Sequence, residues 1–142
     1  MELSILEIAG ENYVKVRYKY GTFLGKWVDK SIPKIGQKFA EVEVSFKIVA
    51  HEILNEKKYC IQNIDGKNII CGLILSDHDY YAQYLDFAGD AVIKNDYICG
   101  SHILMTDINE SNLKNKFVRL EVDEIELYPV DFGSENIIYK DI

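Results

Sequence analysis

The stretch NYVKVRYKY, Asn12 to Tyr20, alternates without a fault: Val14, Val16, Tyr18 and Tyr20 fall on one face, and Lys15, Arg17 and Lys19 on the other. A period of two with one apolar face is the signature of a half-buried strand, and it sets the expectation of an all-β chain. AEVEVSFKIV, Ala40 to Val49, repeats it, with Val42, Val44, Phe46 and Ile48 predicted inward and Glu41, Glu43, Ser45 and Lys47 outward. The connection between the two, GTFLGKWVDKSIPKIGQKF, holds three glycines and Pro33 and reads as irregular, with Ile32, Ile35 and Phe39 expected to plug one end of a barrel.

Further along, KYCIQNIDGKNIICGLIL places two apolar runs around Asp65-Gly66, a pair suited to a hairpin turn that needs positive φ. Gly72 interrupts the second run and predicts a bulge or tight bend. DAVIKNDYICG and SHILMT read as shorter strands. In KFVRLEVDEIELYPV the apolar parity changes between Val122 and Ile125, which predicts a bulge at Asp123-Glu124. Pro129 ends that strand or leaves it at an edge. Helix is scarce: Asp77 or Asp79 is expected to cap a short helix through Asp86, and Asn109–Asn115 to make one further turn. The sum is an all-β protein of six to eight strands, a small antiparallel barrel or sandwich with one or two short helical turns. Within that class an oligonucleotide-binding-like (OB-like) barrel is the first expectation.

At 142 residues, 48% hydrophobic and 27% charged, the chain is predicted to be a single domain, with residues 131–142 a loosely packed tail. The opening MELSILEIAG lacks the basic flank and long apolar centre of a signal peptide, and no apolar run approaches bilayer-spanning length. The expectation is therefore a cytoplasmic protein with no membrane partner. Cys60, Cys71 and Cys99 lack CxxC spacing and sit in apolar contexts, as buried reduced thiols would. The net charge of −7 is uneven: residues 1–71 carry 9 acids and 11 bases, and residues 72–142 carry 14 acids and 5 bases. An acidic second half repels phosphate backbones and attracts a basic partner.

Chemistry-bearing motifs are absent. His51, His78 and His102 form no HxH, HxxxH or HExxH pattern, and Asp77-His78-Asp79 alone completes no zinc shell. Neither GxSxG nor a phosphate-cradling glycine loop occurs. The sequence predicts no catalytic residues, no metal and no cofactor. Lys15, Arg17 and Lys19, with Tyr13 and Trp27 nearby, raise the alternative of an OB-like single-stranded nucleic-acid or ligand-binding protein. Overall acidity and the inward assignment of Tyr18 and Tyr20 weigh against nucleic acid. A small hydrolase or metal-dependent enzyme is the third alternative.

SDHDYYAQYLDFAGD, Ser76 to Asp90, packs four aspartates, one histidine and three tyrosines into fifteen residues. Tyrosines ringed by acids are of the type found at interface hot spots. The predicted partner-binding residues are Asp77, Asp79, Tyr80, Tyr81, Tyr84, Asp86 and Asp90, with Phe87 as a further aromatic anchor. At GKWVDKSIPKIGQKFAEVEVSF and NKFVRLEVDEIELYPV the chain resembles small acidic immunity proteins encoded beside secreted bacterial toxins, as in contact-dependent inhibition systems. The resemblance implies a non-enzymatic immunity protein that neutralises a cognate toxin, and the acidic, tyrosine-bearing stretch adds the expectation that it does so by occluding the basic groove of a nuclease. It makes Trp27, Pro33, Gly36, Val42 and Glu43 scaffold residues and carries over no binding residue.

Overall fold

The computed structural model describes residues 1–44, 48–76, 83–95, 97–105 and 113–130. Four strands open the chain: β1 (Glu2–Ile8), β2 (Tyr13–Tyr18), β3 (Gly21–Trp27) and β4 (Gly36–Val44). Nine follow: β5 (Ile48–Ile53), β6 (Cys60–Ile64), β7 (Lys67–Ser76), β8 (Gln83–Asp86), β9 (Val92–Lys94), β10 (Tyr97–Cys99), β11 (His102–Leu104), β12 (Phe117–Val122) and β13 (Ile125–Pro129). The all-β class holds, with more and shorter strands than the six to eight expected.

Strands β1, β2, β3, β13 and β4 form a closed barrel in that order. Every neighbour is antiparallel except β13 beside β3, where Glu126 faces Lys26 and Leu127 faces Trp27. A five-stranded barrel whose last strand inserts parallel to the third has the OB-like arrangement. One strand closes the ring by serving two partners. Glu2–Ile5 of β1 pair with β4 and Ser4–Ile8 with β2, and a register shift between Ile5 and Glu7 supplies the bend. The alternation of the sequence fills the interior: Val14, Val16 and Tyr18 from β2, Ala40 and Val42 from β4, and Ile125 and Leu127 from β13 are all buried.

Between β4 and β13 the chain lays a six-stranded sheet ordered β11-β8-β7-β12-β5, with β6 also paired to β7, and a separate β9–β10 hairpin. The β6–β7 hairpin turns at Asp65 (φ 51°) and Gly66 (φ 77°), as its Asp-Gly pair predicts. Buried residues of barrel and sheet, among them Phe23, Ile70, Leu85 and Leu120, form one continuous core.

Several expectations change. Gly21–Trp27 is strand β3, with Phe23 and Trp27 inward, because its two glycines hide the alternation without breaking the ladder. Ile32 and Ile35 plug nothing; they are 82% and 70% exposed, and Phe39 is also exposed. The loop is held instead by Trp27, whose indole N–H donates to the Ser31 carbonyl at 3.0 Å, and by the Asp29 carboxylate, which accepts from the Ser31 N–H and hydroxyl. Ala40–Val49 is not one strand: β4 ends in the barrel and β5 begins in the sheet, with residues 45–47 outside the described set. The parity change after Val122 is the crossing from sheet to barrel at Asp123-Glu124, not a bulge within one ladder. Gly72 lies in continuous β7 at the point where its partner changes from β6 to β8. Gln83–Asp86 is strand, so no helix runs through Asp86. A short turn does occur at Leu113–Asn115; residues 109–112 and 131–142 lie outside the described residues. Cys60 and Cys71 are buried, whereas Cys99 is exposed.

Candidate partner-binding surface

Four of the predicted partner-binding residues, Asp77, Asp79, Tyr80 and Tyr81, lie outside the described residues. The other three separate into different roles. Tyr84 is half-buried on β8, where its ring meets the His102 ring edge-on at 5.7 Å. Asp86 is no surface anion: it is only 3% exposed, and its Oδ1 accepts the N–H groups of Ala88 (3.1 Å) and Gly89 (2.8 Å). A short acid two or three residues before free amides closes a turn on itself, which is why it is buried without an opposite charge. Phe87 follows it inward as core and stacks edge-to-face on Tyr18 at 6.1 Å, so it anchors nothing outside. Asp90 is exposed, and its carboxylate accepts the Ser101 N–H at 2.9 Å, drawing the strand β11 approach against the β8 exit.

That contact floors the seam between barrel and sheet. Two adjoining clefts of about 450 and 390 Å³ share Met1, Asp90 and Ser101. The first adds Arg17 and Lys19 of the barrel; the second adds Glu41, Glu43 and His102. The His102 Nδ1 lies 2.7 Å from the Gly100 carbonyl, which assigns Nδ1 as the protonated nitrogen and leaves Nε2 the acceptor of the neutral ring.

The second cleft opens onto an acidic face that the sequence alone did not assemble. Outward alternation puts Phe39, Glu41 and Glu43 on one side of β4, and the β4–β13 register sets Glu126 opposite Glu43 and Tyr128 opposite Glu41. Phe39 is 39% and Tyr128 37% exposed. Partial burial, then the neighbouring Glu41 and Glu126 carboxylates, raises the Glu43 carboxyl above its ordinary range, while His102 opposes the shift. The Tyr128 hydroxyl makes only a long contact with the Glu126 carboxylate, donating at 3.4 Å. Each residue carried a readable strand parity. What was missing was the pairing of two strands separated by the whole inserted sheet.

The adjoining β2–β3 flank of the barrel is basic. On β2 and β3 the outward set is Lys15, Arg17 and Lys26, cross-strand to Leu24, Thr22 and Tyr13 respectively. Glu7 of β1 sits opposite Lys15, and the Tyr13 hydroxyl donates to the Glu124 carboxylate at 2.5 Å. That hydrogen bond, more than burial or charge, raises the Tyr13 phenol. Among the described residues no group of three or more His, Cys, Asp or Glu side chains is arranged to hold a metal ion, and no helix is long and apolar enough to cross a membrane. Comparison with protein-family models, with curated proteins and with solved structures finds no match to this chain.

Proposed function

We propose that the chain is a non-enzymatic, cytoplasmic binding protein, an immunity protein that neutralises a cognate bacterial toxin by presenting an acidic face to its basic groove. The observation that carries this reading is the β4–β13 pairing, which gathers Glu41, Glu43 and Glu126 with the exposed rings of Phe39 and Tyr128 on one side of the barrel. Carboxylates there stand in for the phosphates of a nuclease substrate. Their field accelerates encounter, and the rings, once covered, slow release. Asp90 lines the same seam, and Tyr84 meets it through the His102 ring.

The test is a pull-down of the tagged protein from its source lysate, repeated after nuclease treatment, with the Glu41→Gln/Glu43→Gln/Glu126→Gln variant alongside. Expected is one basic protein in stoichiometric amount, insensitive to nuclease, whose association with the variant slows about tenfold or more at low salt and much less at high salt. An unchanged rate and unchanged salt dependence would reject this face.

A second reading rests on the β2–β3 face. Lys15, Arg17 and Lys26 with Tyr13 and Leu24 occupy the strands by which OB-type barrels take single-stranded nucleic acid. Fold alone assigns no ligand, and opposite charge from Glu7 already answers Lys15. Low-salt fluorescence anisotropy with a labelled oligonucleotide decides it: saturable binding lost in Arg17→Gln/Lys26→Gln favours this reading, and no binding removes it.

A further inference from the structure

Outside both charged faces, the sheet carries a pair of sulfurs with no part in the proposed binding. Cys60 on β6 and Cys71 on β7 are direct cross-strand partners in the antiparallel β6–β7 hairpin. Directly opposed residues in such a ladder have Cα atoms about 4.5 or 5.5 Å apart, according to whether the pair is hydrogen-bonded, and both spacings fall within the 4.4–6.8 Å range of disulfides. The Cα spacing of the pair is therefore compatible with a bond between the sulfurs. Both cysteines are free and buried, and Arg119 of β12 stands in register with Cys71 on its other side. Alternation turns them away from Ile61 and Ile70, which belong to the main core, into a small cluster with Ile69 and Leu54. A bond between them therefore tightens a satellite cluster and leaves the main core packing as it is.

We propose that Cys60 and Cys71 form a thiol–disulfide couple that a small-molecule disulfide closes into a cross-strand bond. When the hairpin opens locally and admits the oxidant, of which oxidised glutathione is the type, the Cys60 sulfur attacks one of its sulfurs and expels one small thiol. The Cys71 sulfur then attacks the Cys60 sulfur of the mixed disulfide and expels the second. One S–S bond forms as one breaks; the two protein thiols are oxidised, and their protons leave on the two small thiols. The positive side chains of Lys58 and Arg119 lie near enough to favour the thiolate that starts the sequence. In a reducing compartment such a bond is transient, a response to oxidant and not a permanent staple.

Its location gives the bond a consequence. The hairpin is tied to the barrel where the Asn63 side-chain carbonyl accepts the Leu24 N–H at 2.6 Å, and Asn63 in turn donates to Asn68 at 2.5 Å. Closing Cys60–Cys71 therefore stiffens the element that joins sheet to barrel.

The experiment uses the full chain with Cys99→Ser, which removes the exposed third thiol. The folded protein is incubated with oxidised glutathione, quenched in acid, alkylated in denaturant and weighed intact, with hydrogen exchange followed on a parallel sample. Expected are a species two hydrogens lighter, no alkyl group on either cysteine, reversal by dithiothreitol, and exchange of the β6–β7 amides slowed about tenfold. Two alkylated thiols, a lasting glutathione adduct on either cysteine, or a disulfide-linked dimer would each overturn the proposal.

Discussion

Replacing Gly72 with alanine probes the point where the sheet is closest-packed. A Cβ at Gly72 would lie 2.0 Å from the Asp86 carbonyl oxygen, 2.8 Å from its carbonyl carbon and 3.1 Å from the Phe87 Cα. An ordinary carbon–oxygen contact is about 3.3 Å or more, so β8 must retreat by about 1.3 Å. All three atoms are backbone, and no rotamer relieves them. The retreat strains the Leu73–Asp86 pair that begins the β7–β8 ladder, shifts Phe87 against Tyr18, and loosens the Asp86 carboxylate from the Ala88 and Gly89 amides. Overpacking costs about 1–3 kcal/mol, and weakening those hydrogen bonds adds about 1–2 kcal/mol, giving a loss of about 2–5 kcal/mol. With a urea slope of about 2 kcal/mol/M for a chain of this size, the unfolding midpoint falls by about 1–2.5 M at unchanged slope. Gly10→Ala is the control: its φ is +133° but nothing lies within 4 Å of the added carbon, so only backbone strain of about 1–2 kcal/mol applies. If Gly72→Ala costs less than about 1 kcal/mol, or no more than Gly10→Ala, the Asp86 carbonyl does not sit over Gly72 and the reasoning fails.

Two further substitutions separate stability from binding. Because burial first, and then Glu41 and Glu126, hold the Glu43 carboxyl above its ordinary value of 4.5, the folded state favours its protonated form. That stabilising contribution is fully present below the unfolded value and is lost as pH rises through the folded one. Glu43→Gln should therefore raise stability near neutral pH by about 0.5 kcal/mol after solvent screening, with the gap closing near pH 4 in urea titrations at the two pH values. A variant less stable at neutral pH contradicts this. Ile32→Ser with Ile35→Ser should leave the unfolding midpoint unchanged within about 0.5 kcal/mol, since both side chains lie in solvent; a larger loss would restore them as a barrel plug.

Much of the local structure was written in the period of the sequence, because a strand with one wet face advertises itself. Val14, Val16 and Tyr18 did so, and Asp65-Gly66 announced its turn through a backbone conformation that few residue pairs accept. β3 escaped because Gly21 and Gly25 contribute no side chain to the inward or outward count, although the small residues are what let neighbouring elements approach: a Cβ at Gly21 would meet the Ile61 carbonyl at 2.7 Å. Ile32 and Ile35 show the converse: their apolar side chains lie in solvent, because composition does not fix burial in a loop that has no period. Asp86 looked like surface charge because its satisfaction comes from two backbone amides, which every residue possesses and no composition reveals. The acidic face was beyond reach until β4 and β13 were paired.

The two charged faces of the barrel differ in a way that bears on which of them serves a partner. On the basic flank Lys15 stands opposite Glu7, and Lys26 stands opposite Glu126, so the strands there carry complementary neighbours that the fold itself can use. On the acidic flank Glu43 stands directly opposite Glu126, with Glu41 two residues along the same face of β4. Like charges across a ladder destabilise it, and Glu41 and Glu126 add to the burial that raises the Glu43 carboxyl, although Glu126 also faces Lys26 on its other side. Solubility needs acids but does not need them opposed. A basic surface laid over Phe39 and Tyr128 would relieve the repulsion on contact, so part of its affinity would come from ending a strain present in the free protein. Neutralising Glu43 should thus move stability and partner affinity in opposite directions, a divergence that a purely structural carboxylate would not produce.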